Sequence, residues 1–539
     1  MAEAGGRPAG AFGRSASDFE DPRDAEMEVA ASARKGQPTV FEVKADETDI
    51  ERAERTVSAR WVRFLALGGD DKTPVHEKGV RIHGAVIEGA LDFEGCTLSA
   101  PLFLLNCELT GMLTLRDAHA QTIDLGGSRC RAIDADRLEV TGSVFMRRGF
   151  VAGAPVRLLG AKISGNLVCE HGSFKGHDTL GNALACDGIE IGGAAFLGNG
   201  FMAAGIVRMV GAKIGIDVNC AGGSFFAVTA VKLSRASIGG TLWLGAPHRQ
   251  AATFHGGIDL TGAKVGQIVD GVRASPAQRR SNDRKNPEFL RLDGLTYDRF
   301  GEDTDASAPA RIAFLDLQPP ADLGTSFKPQ PWEQVVKVLR DIGHYGEARG
   351  VAIEKQVRLR KAGKISGPPI WHWLYGKLSA YGYRPSYLIL WALIIAVACA
   401  AVFEAGARYG VMTPTDRRII DEVKNPACRP EHGGNWTQCV FLTDRYTAFD
   451  PIVYSIELIL PVVSTQQSKD WAVAIVKRCL ALNLFGFCAV PAEAGISNAK
   501  AAYSPAGLAV WALARAETLV GWIFGLMFVA TVSGLIKRD

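Results

Sequence analysis

The sequence predicts a mainly β protein: a right-handed parallel β-helix solenoid followed by an α-helical hairpin and a C-terminal α-helical membrane domain. Three observations carry that prediction. Short alternating apolar runs recur in one frame from about residue 79 to 270, paired helical patterns follow Pro329 and Pro331, and 387–403 is an uncharged apolar run near spanning length.

Composition bounds the alternatives. A chain of 539 residues, 47% apolar and 22% charged, has length for two or three domains. Lys+Arg 60 against Asp+Glu 57 gives a net charge of +3, which argues against an electrostatic nucleic-acid binder. The 60 glycines have no every-third-residue period, so they serve turns and close packing rather than a collagen helix. Eleven cysteines are too sparse for a disulfide scaffold and include no C-x-x-C pair, so no metal site is expected.

Residues 1–45 read as a disordered tail with no apolar core of a secretory signal. Residues 46–75 read as a helical N-terminal cap, because Val57, Trp61, Phe64 and Leu65 fall at helical spacing before Gly68-Gly69. A solenoid needs such a cap to cover the core and unpaired edge of its first coil.

Residues 76–270 form the β-helix. Its clearest echo is Gly160-Ala161-Lys162-Ile163, Gly211-Ala212-Lys213-Ile214, Arg235-Ala236-Ser237-Ile238 and Gly262-Ala263-Lys264-Val265, with Asp187-Gly188-Ile189-Glu190-Ile191 in the same frame. Runs such as Leu113-Thr114-Leu115 and Leu242-Trp243-Leu244 alternate at the strand period between Gly, Asn or Ser corners. Strands this short stack coil on coil, predicting roughly eight to ten coils. Cys96, Cys107, Cys130, Cys169, Cys186 and Cys220 read as core packing, while Asp92, Asp124, Asp134, Asp136 and Glu139 read as single solvated acids.

Residues 271–328, rich in Pro, Ser and charge, read as a linker. Residues 329–384 read as a helical hairpin and juxtamembrane region. Its first helix carries Trp332, Val335, Val336 and Leu339, and a turn at Gly343-His344 leads to a second with Ala348, Val351 and Ala352. One hairpin is too few for a peptide-binding array, so it reads as a joint.

Residues 385–539 are the membrane domain, with spans at about 385–406 and 515–536 and a short apolar helix at 449–463. Lys355, Arg358, Arg360, Lys361, Lys364, Lys377 and Arg384 precede the first span, which puts both termini in the cytoplasm of a bacterial inner membrane. The intervening loop then faces an oxidising compartment, where Cys428 and Cys439 are a candidate disulfide. A further segment, 471–490, reads as interfacial or short membrane structure. Span, short helix and span are the parts of a pore-loop channel. Glu457 is its key residue, since a carboxylate in an apolar run needs water or a partner. Ser464, Thr465, Gln466 and Gln467 are the other pore-lining candidates, and they do not match a Thr-Val-Gly-Tyr-Gly potassium filter. Gly521 and Gly525 form a small-xxx-small pair, a candidate for helix association.

Several of these stretches resemble bacterial membrane-associated proteins with pentapeptide-like repeats, a group often labelled membrane-associated oxidoreductases. The resemblance rests on Val57-Ser58-Ala59-Arg60-Trp61, the Gly-Ala-x-Ile echoes, Leu292-Asp293-Gly294-Leu295, Pro329-Gln330-Pro331-Trp332, Tyr381-Gly382-Tyr383-Arg384-Pro385, Tyr454-Ser455-Ile456-Glu457 and Ser533-Gly534-Leu535-Ile536-Lys537. It offers no catalytic residues to carry over. No Gly-x-Gly-x-x-Gly after a strand, haem-attachment motif or iron-sulfur spacing occurs, so no cofactor is expected. The leading expectation is an oligomeric ion channel or channel-like sensor in the lipid bilayer, with a homo-oligomer as its working form. The alternative is a membrane-tethered scaffold whose β-helix binds a protein partner, and an oxidoreductase comes third.

Overall fold

The computed structural model describes residues 15–533 apart from 20, 45, 246–250, 272, 275–289, 303, 441, 443–445, 461, 483–487 and 492–499. The first 14 residues of the expected tail, the middle of the expected linker, Pro461 in the short apolar helix and the end of the second span at 534–536 lie outside the described residues. The chain divides into two units, Met1–Lys364 and Ile365–Asp539.

The first unit is a parallel β-solenoid of about 8 turns. Its strands, mostly two residues long, stack into sheets of 16, 10 and 9 strands. One ladder runs Val80, Leu102, Ile123, Val144, Leu167, Ala195, Val218, Leu242 and Ile268, each hydrogen-bonded in register with the coil before it. All nine are buried, so isolated two-residue strands are held by continuous apolar columns and by their neighbours' backbone.

The sequence echo has a role at each position. Gly160, Gly211 and Gly262 take left-handed corner conformations at φ 64°, 67° and 67°, where a side chain is disfavoured. Ala161, Ala212 and Ala263 are buried behind the corner, and Ile163, Ile214 and Val265 point into the core. The position between faces outward and stacks His119, Glu139, Lys162, Glu190 and Lys213 in register. Glu139 pairs with Lys162 at 2.9 Å and Glu190 with Lys213 at 2.8 Å, so the exposed ladder alternates in sign. The register also extends the echo back to Asp117-Ala118-His119-Ala120 and Arg137-Leu138-Glu139-Val140, where Asp117 and Arg137 occupy the left-handed corner and pair with each other.

A column of Phe150, Phe174, Phe201, Phe225 and Phe254 fills one side of the core, with successive ring centroids 4.9 to 5.6 Å apart. Ring positions alternate over the first four coils of the column, and Phe254 repeats the position of Phe225. Coils reading Phe150-Val151-Ala152 and Phe201-Met202-Ala203 place the ring before the strand, and Gly172-Ser173-Phe174 and Gly223-Ser224-Phe225 place it two residues later. A Cβ on Gly223 would sit 2.9 Å from the ring of Phe225, so each small residue makes room for the ring of its own coil.

Three of the acids depart from expectation, and among the six cysteines of the solenoid only Cys96 does. Asp124, Asp134 and Asp136 are buried rather than singly solvated, and they pair across coils with Arg147, Arg116 and Arg157. Burial pushes the thiols of Cys107, Cys130 and Cys220 up to about 12 and raises those of Cys169 and Cys186 as well, whereas Cys96 is half-buried. Alkylation of the native protein should therefore label Cys96 and spare the other five until denaturant is added, as read by peptide mass spectrometry. Labelling of Cys169 or Cys186 in the folded protein would contradict this packing.

The N-terminal cap is larger than expected. The region assigned to a disordered tail contains α1 (Asp24–Lys35), and Thr39–Val40 adds a strand against Val80–His83. The tail signal misled because α1 buries mainly small residues, Ala25, Val29, Ala30 and Ala33. Its buried Glu26 carboxylate accepts from Ser58 N at 2.8 Å and Arg23 N at 2.9 Å, fixing α1 to the first coil. The expected cap helix resolves into α2 (Asp49–Glu54) and α3 (Ala59–Ala66), separated by the strand Thr56–Ser58, which joins the solenoid through Val86–Glu88.

The solenoid also continues beyond residue 270. Leu290–Arg291 pairs with Gly257–Asp259 and Thr296–Phe300 with Lys264–Asp270, so part of the expected linker is a further coil. The polar insertion at 275–289 hid it. Beyond it lie α4 (Ala308–Leu315), α5 (Gln330–Asp341) and α6 (Tyr345–Lys361). Gln330 Nε2 donates to Leu295 O at 2.9 Å and Gln334 Nε2 to Tyr297 O at 2.6 Å. These amides satisfy backbone that the last strand leaves unpaired, so α5 closes the terminal edge.

The second unit contains α7 (Pro369–Ser379), α8 (Ser386–Arg408), α9 (Pro451–Ile459) and α10 (Pro505–Val532). By length and composition, α8 and α10 could cross a membrane. Between α8 and α9 the chain is held by a disulfide joining Cys428 and Cys439, and by a core that includes Trp436, Tyr454 and Trp471. The described residues of the stretch 471–490 include antiparallel strands. Trp471–Val473 pairs with Met412–Pro414, and Val476–Leu482 with Cys488–Pro491 and Lys500–Tyr503.

Candidate functional site

The site is built where α9 packs between α8 and α10. Asp450 starts α9 by accepting from Ile452 N at 2.8 Å and Val453 N at 3.1 Å, and Pro451 occupies the first turn. Nine residues rise only about 14 Å, too short to cross a bilayer. Close packing depends on Gly521 of α10: a Cβ there would lie 2.2 Å from Ile459 O. Gly521 thus permits the close approach of α9 and α10 within one chain. Gly525 has nothing within 4 Å of a built Cβ and borders an apolar cleft of about 510 Å³ with Leu388, Ile456 and Val462.

After α9 the chain turns and comes back. Leu460, Val462 and Val463 are exposed, Val462 at 94%, and Gln466 takes a left-handed φ of 72° before a helical turn at Gln467–Asp470. Two buried side chains brace the return. The Glu457 carboxylate accepts from Thr465 Oγ1 at 2.7 Å, Ser468 Oγ at 2.8 Å and Ser468 N at 3.2 Å. Gln467 Oε1 accepts from Asp450 N at 3.1 Å and its Nε2 donates to Ala448 O at 2.7 Å, tying the end of the return to the start of α9.

The five sequence candidates therefore divide by role. Glu457 and Gln467 are internal braces, and the Thr465 hydroxyl serves Glu457. Ser464 and Gln466 are exposed along the return. Glu457 finds the partner that its place in an apolar run requires in its own loop.

A second polar cluster escaped the sequence reading. Glu517 of α10 is 2% exposed and hydrogen-bonds Ser455 of α9, while Ser455 Oγ lies 2.9 Å from Ala396 O of α8. The Cys399 thiol of α8 also faces the carboxyl. An acid inside the apolar stretch at 515–536 was the available signal, and nothing in the sequence names its partners on the other helices. Among the described residues, no group of three or more His, Cys, Asp or Glu could hold a metal ion.

Fold and site together define a two-unit chain: a parallel β-solenoid, and a helical unit in which a short braced helix packs between two helices apolar enough to cross a membrane. Comparison with family models, with curated proteins and with solved structures finds no match.

Proposed function

We propose that the protein is a membrane-anchored, pore-loop-like channel or channel-like sensor that works as a homo-oligomer. In this reading α8 and α10 span a bacterial inner membrane with both termini in the cytoplasm. The β-helix is right-handed, α5 and α6 form a hairpin joint, and the chain is one of the pentapeptide-like-repeat membrane proteins that its motifs resemble. The disulfide between Cys428 and Cys439 suits an oxidising exterior.

The observation that carries the reading is the exposed return at 462–466. Irregular backbone at membrane depth is tolerated where protein covers it or water lines it. In a single copy Ser464 and Gln466 are exposed beside Val462 and Val463. Copies arranged around an axis would cover the valines and give the polar residues water, while Glu457 and Gln467 hold the backbone in place. A membrane-tethered scaffold is the second reading, favoured by the alternating charge ladder at Glu139, Lys162, Glu190 and Lys213 as a face for a protein partner.

The test is unitary current across a planar bilayer containing the purified protein, wild type beside Glu457→Gln. Neutralising the brace weakens the contacts to Thr465 and Ser468, so conductance or open time should change. Identical currents from both proteins would remove Glu457 from the pore structure. Silence from folded, oriented protein at several voltages would favour the scaffold.

A further inference from the structure

We propose that Glu517 is a proton-binding site inside the three-helix bundle, holding one exchangeable proton as a neutral carboxylic acid hydrogen-bonded to Ser455. Hydrogen counting supports it. The Ser455 hydroxyl touches two oxygens, Ala396 O of α8 and Glu517 Oε1 of α10, but has one hydrogen to give. The Ala396 carbonyl only accepts. If Ser455 donates to it at 2.9 Å, the hydrogen between Ser455 and Glu517 must come from the carboxyl.

The surroundings agree. The Glu517 carboxyl is buried, and its Oε2 has no hydrogen-bond partner among the described residues. An ionised carboxylate in that position would leave charge on a buried, unbonded oxygen, at a cost that the neutral acid avoids. The titratable groups on the packed helices supply no counter-charge. From α8 the Cys399 thiol faces the carboxyl, and from α9 come the Tyr454 phenol and Glu457, the latter engaged by Thr465 and Ser468. The nearest cation along α10, Arg515, is exposed and lies over Trp511 at 5.7 Å.

Release of the proton to water leaves a carboxylate. The Ser455 hydrogen then turns from Ala396 O to Glu517 Oε1, and the hydrogen bond between α9 and α8 is lost. Proton occupancy is in this way linked to the seat of the short helix. The inference goes beyond conduction, and its readout uses no current, so a silent bilayer leaves it standing.

The experiment is infrared difference spectroscopy on the full chain in lipid nanodiscs. Wild type should show the carbonyl stretch of a protonated carboxyl at neutral pH, bleached as the medium is made alkaline. Glu517→Gln should lose that band and Glu457→Gln should keep it. Ser455→Ala should move it to the higher frequency of a carboxyl freed from its hydrogen-bond partner, which covers the case in which Glu517→Gln does not fold. Absence of the band from wild type, its persistence in folded Glu517→Gln, or an unmoved band in Ser455→Ala would overturn the proposal.

Discussion

Phe201→Ala is expected to lower the stability of the solenoid by about 3–5 kcal/mol, the largest single effect in this unit. Phe201 is fully buried, with ring centroids 5.2 Å from Phe174 and 5.3 Å from Phe225, so truncation opens a cavity bordered by both neighbours. Because each coil is supported by the coils on either side, the damage falls on two interfaces at once. Urea unfolding followed by circular dichroism gives the size of the loss. The alternating pattern supplies a sharper test. Phe201→Gly combined with Ala203→Phe converts this coil to the Gly-x-Phe form of Gly172-Ser173-Phe174 and Gly223-Ser224-Phe225, and should recover part of the loss. A double variant no more stable than Phe201→Gly alone would show that the two forms are not interchangeable.

Gly521→Ala is expected to have the largest effect in the helical unit, although it adds one carbon. The new Cβ would meet backbone at Ile459, 2.2 Å from its O, 2.7 Å from its C and 2.9 Å from its Cα, and backbone cannot swing aside as a flexible side chain does. Either α9 moves off α10 or the substitution strains both, at about 1–3 kcal/mol or more. Gly525→Ala, four residues along, meets nothing within 4 Å and should be tolerated. Thermal melting in detergent micelles, read by near-ultraviolet circular dichroism, separates the two. Equal behaviour of the variants would mean that Gly521 does not set the α9 contact.

These two sites also mark what the sequence made legible. Gly-Ala-Lys-Ile could be read because its corner glycine, buried alanine, outward lysine and inward isoleucine are fixed by local geometry and repetition. The same corner at Asp117 and Arg137 was unreadable, because there the glycine is replaced and the Ala-x-Ile that still marks Arg235-Ala236-Ser237-Ile238 is lost as well. Helix α1 was lost for lack of large apolar residues, and the coil at 290–300 because an insertion breaks the period. In the helical unit the short apolar helix and Glu457 stood out, but the partners of Glu457 lie in its own return loop and could not be named without the fold. Gly521 and Gly525 looked equivalent, and only the approach of Ile459 distinguishes them. Glu517 draws its meaning from Ser455 and Ala396, 62 and 121 positions away in the chain, a relation that no spacing rule reaches.

The claim that joins these findings is that the braced return at 462–466 faces a water path. The most direct measurement is current across bilayers containing the Gln466→Cys protein during exposure to a membrane-impermeant, positively charged thiol reagent, with Leu526→Cys as a control on the exposed face of α10. The pore reading predicts stepwise loss of current in Gln466→Cys and none in wild type or Leu526→Cys. Complete modification of Gln466→Cys, confirmed by mass, with current unchanged would place the return outside any conducting path and contradict it.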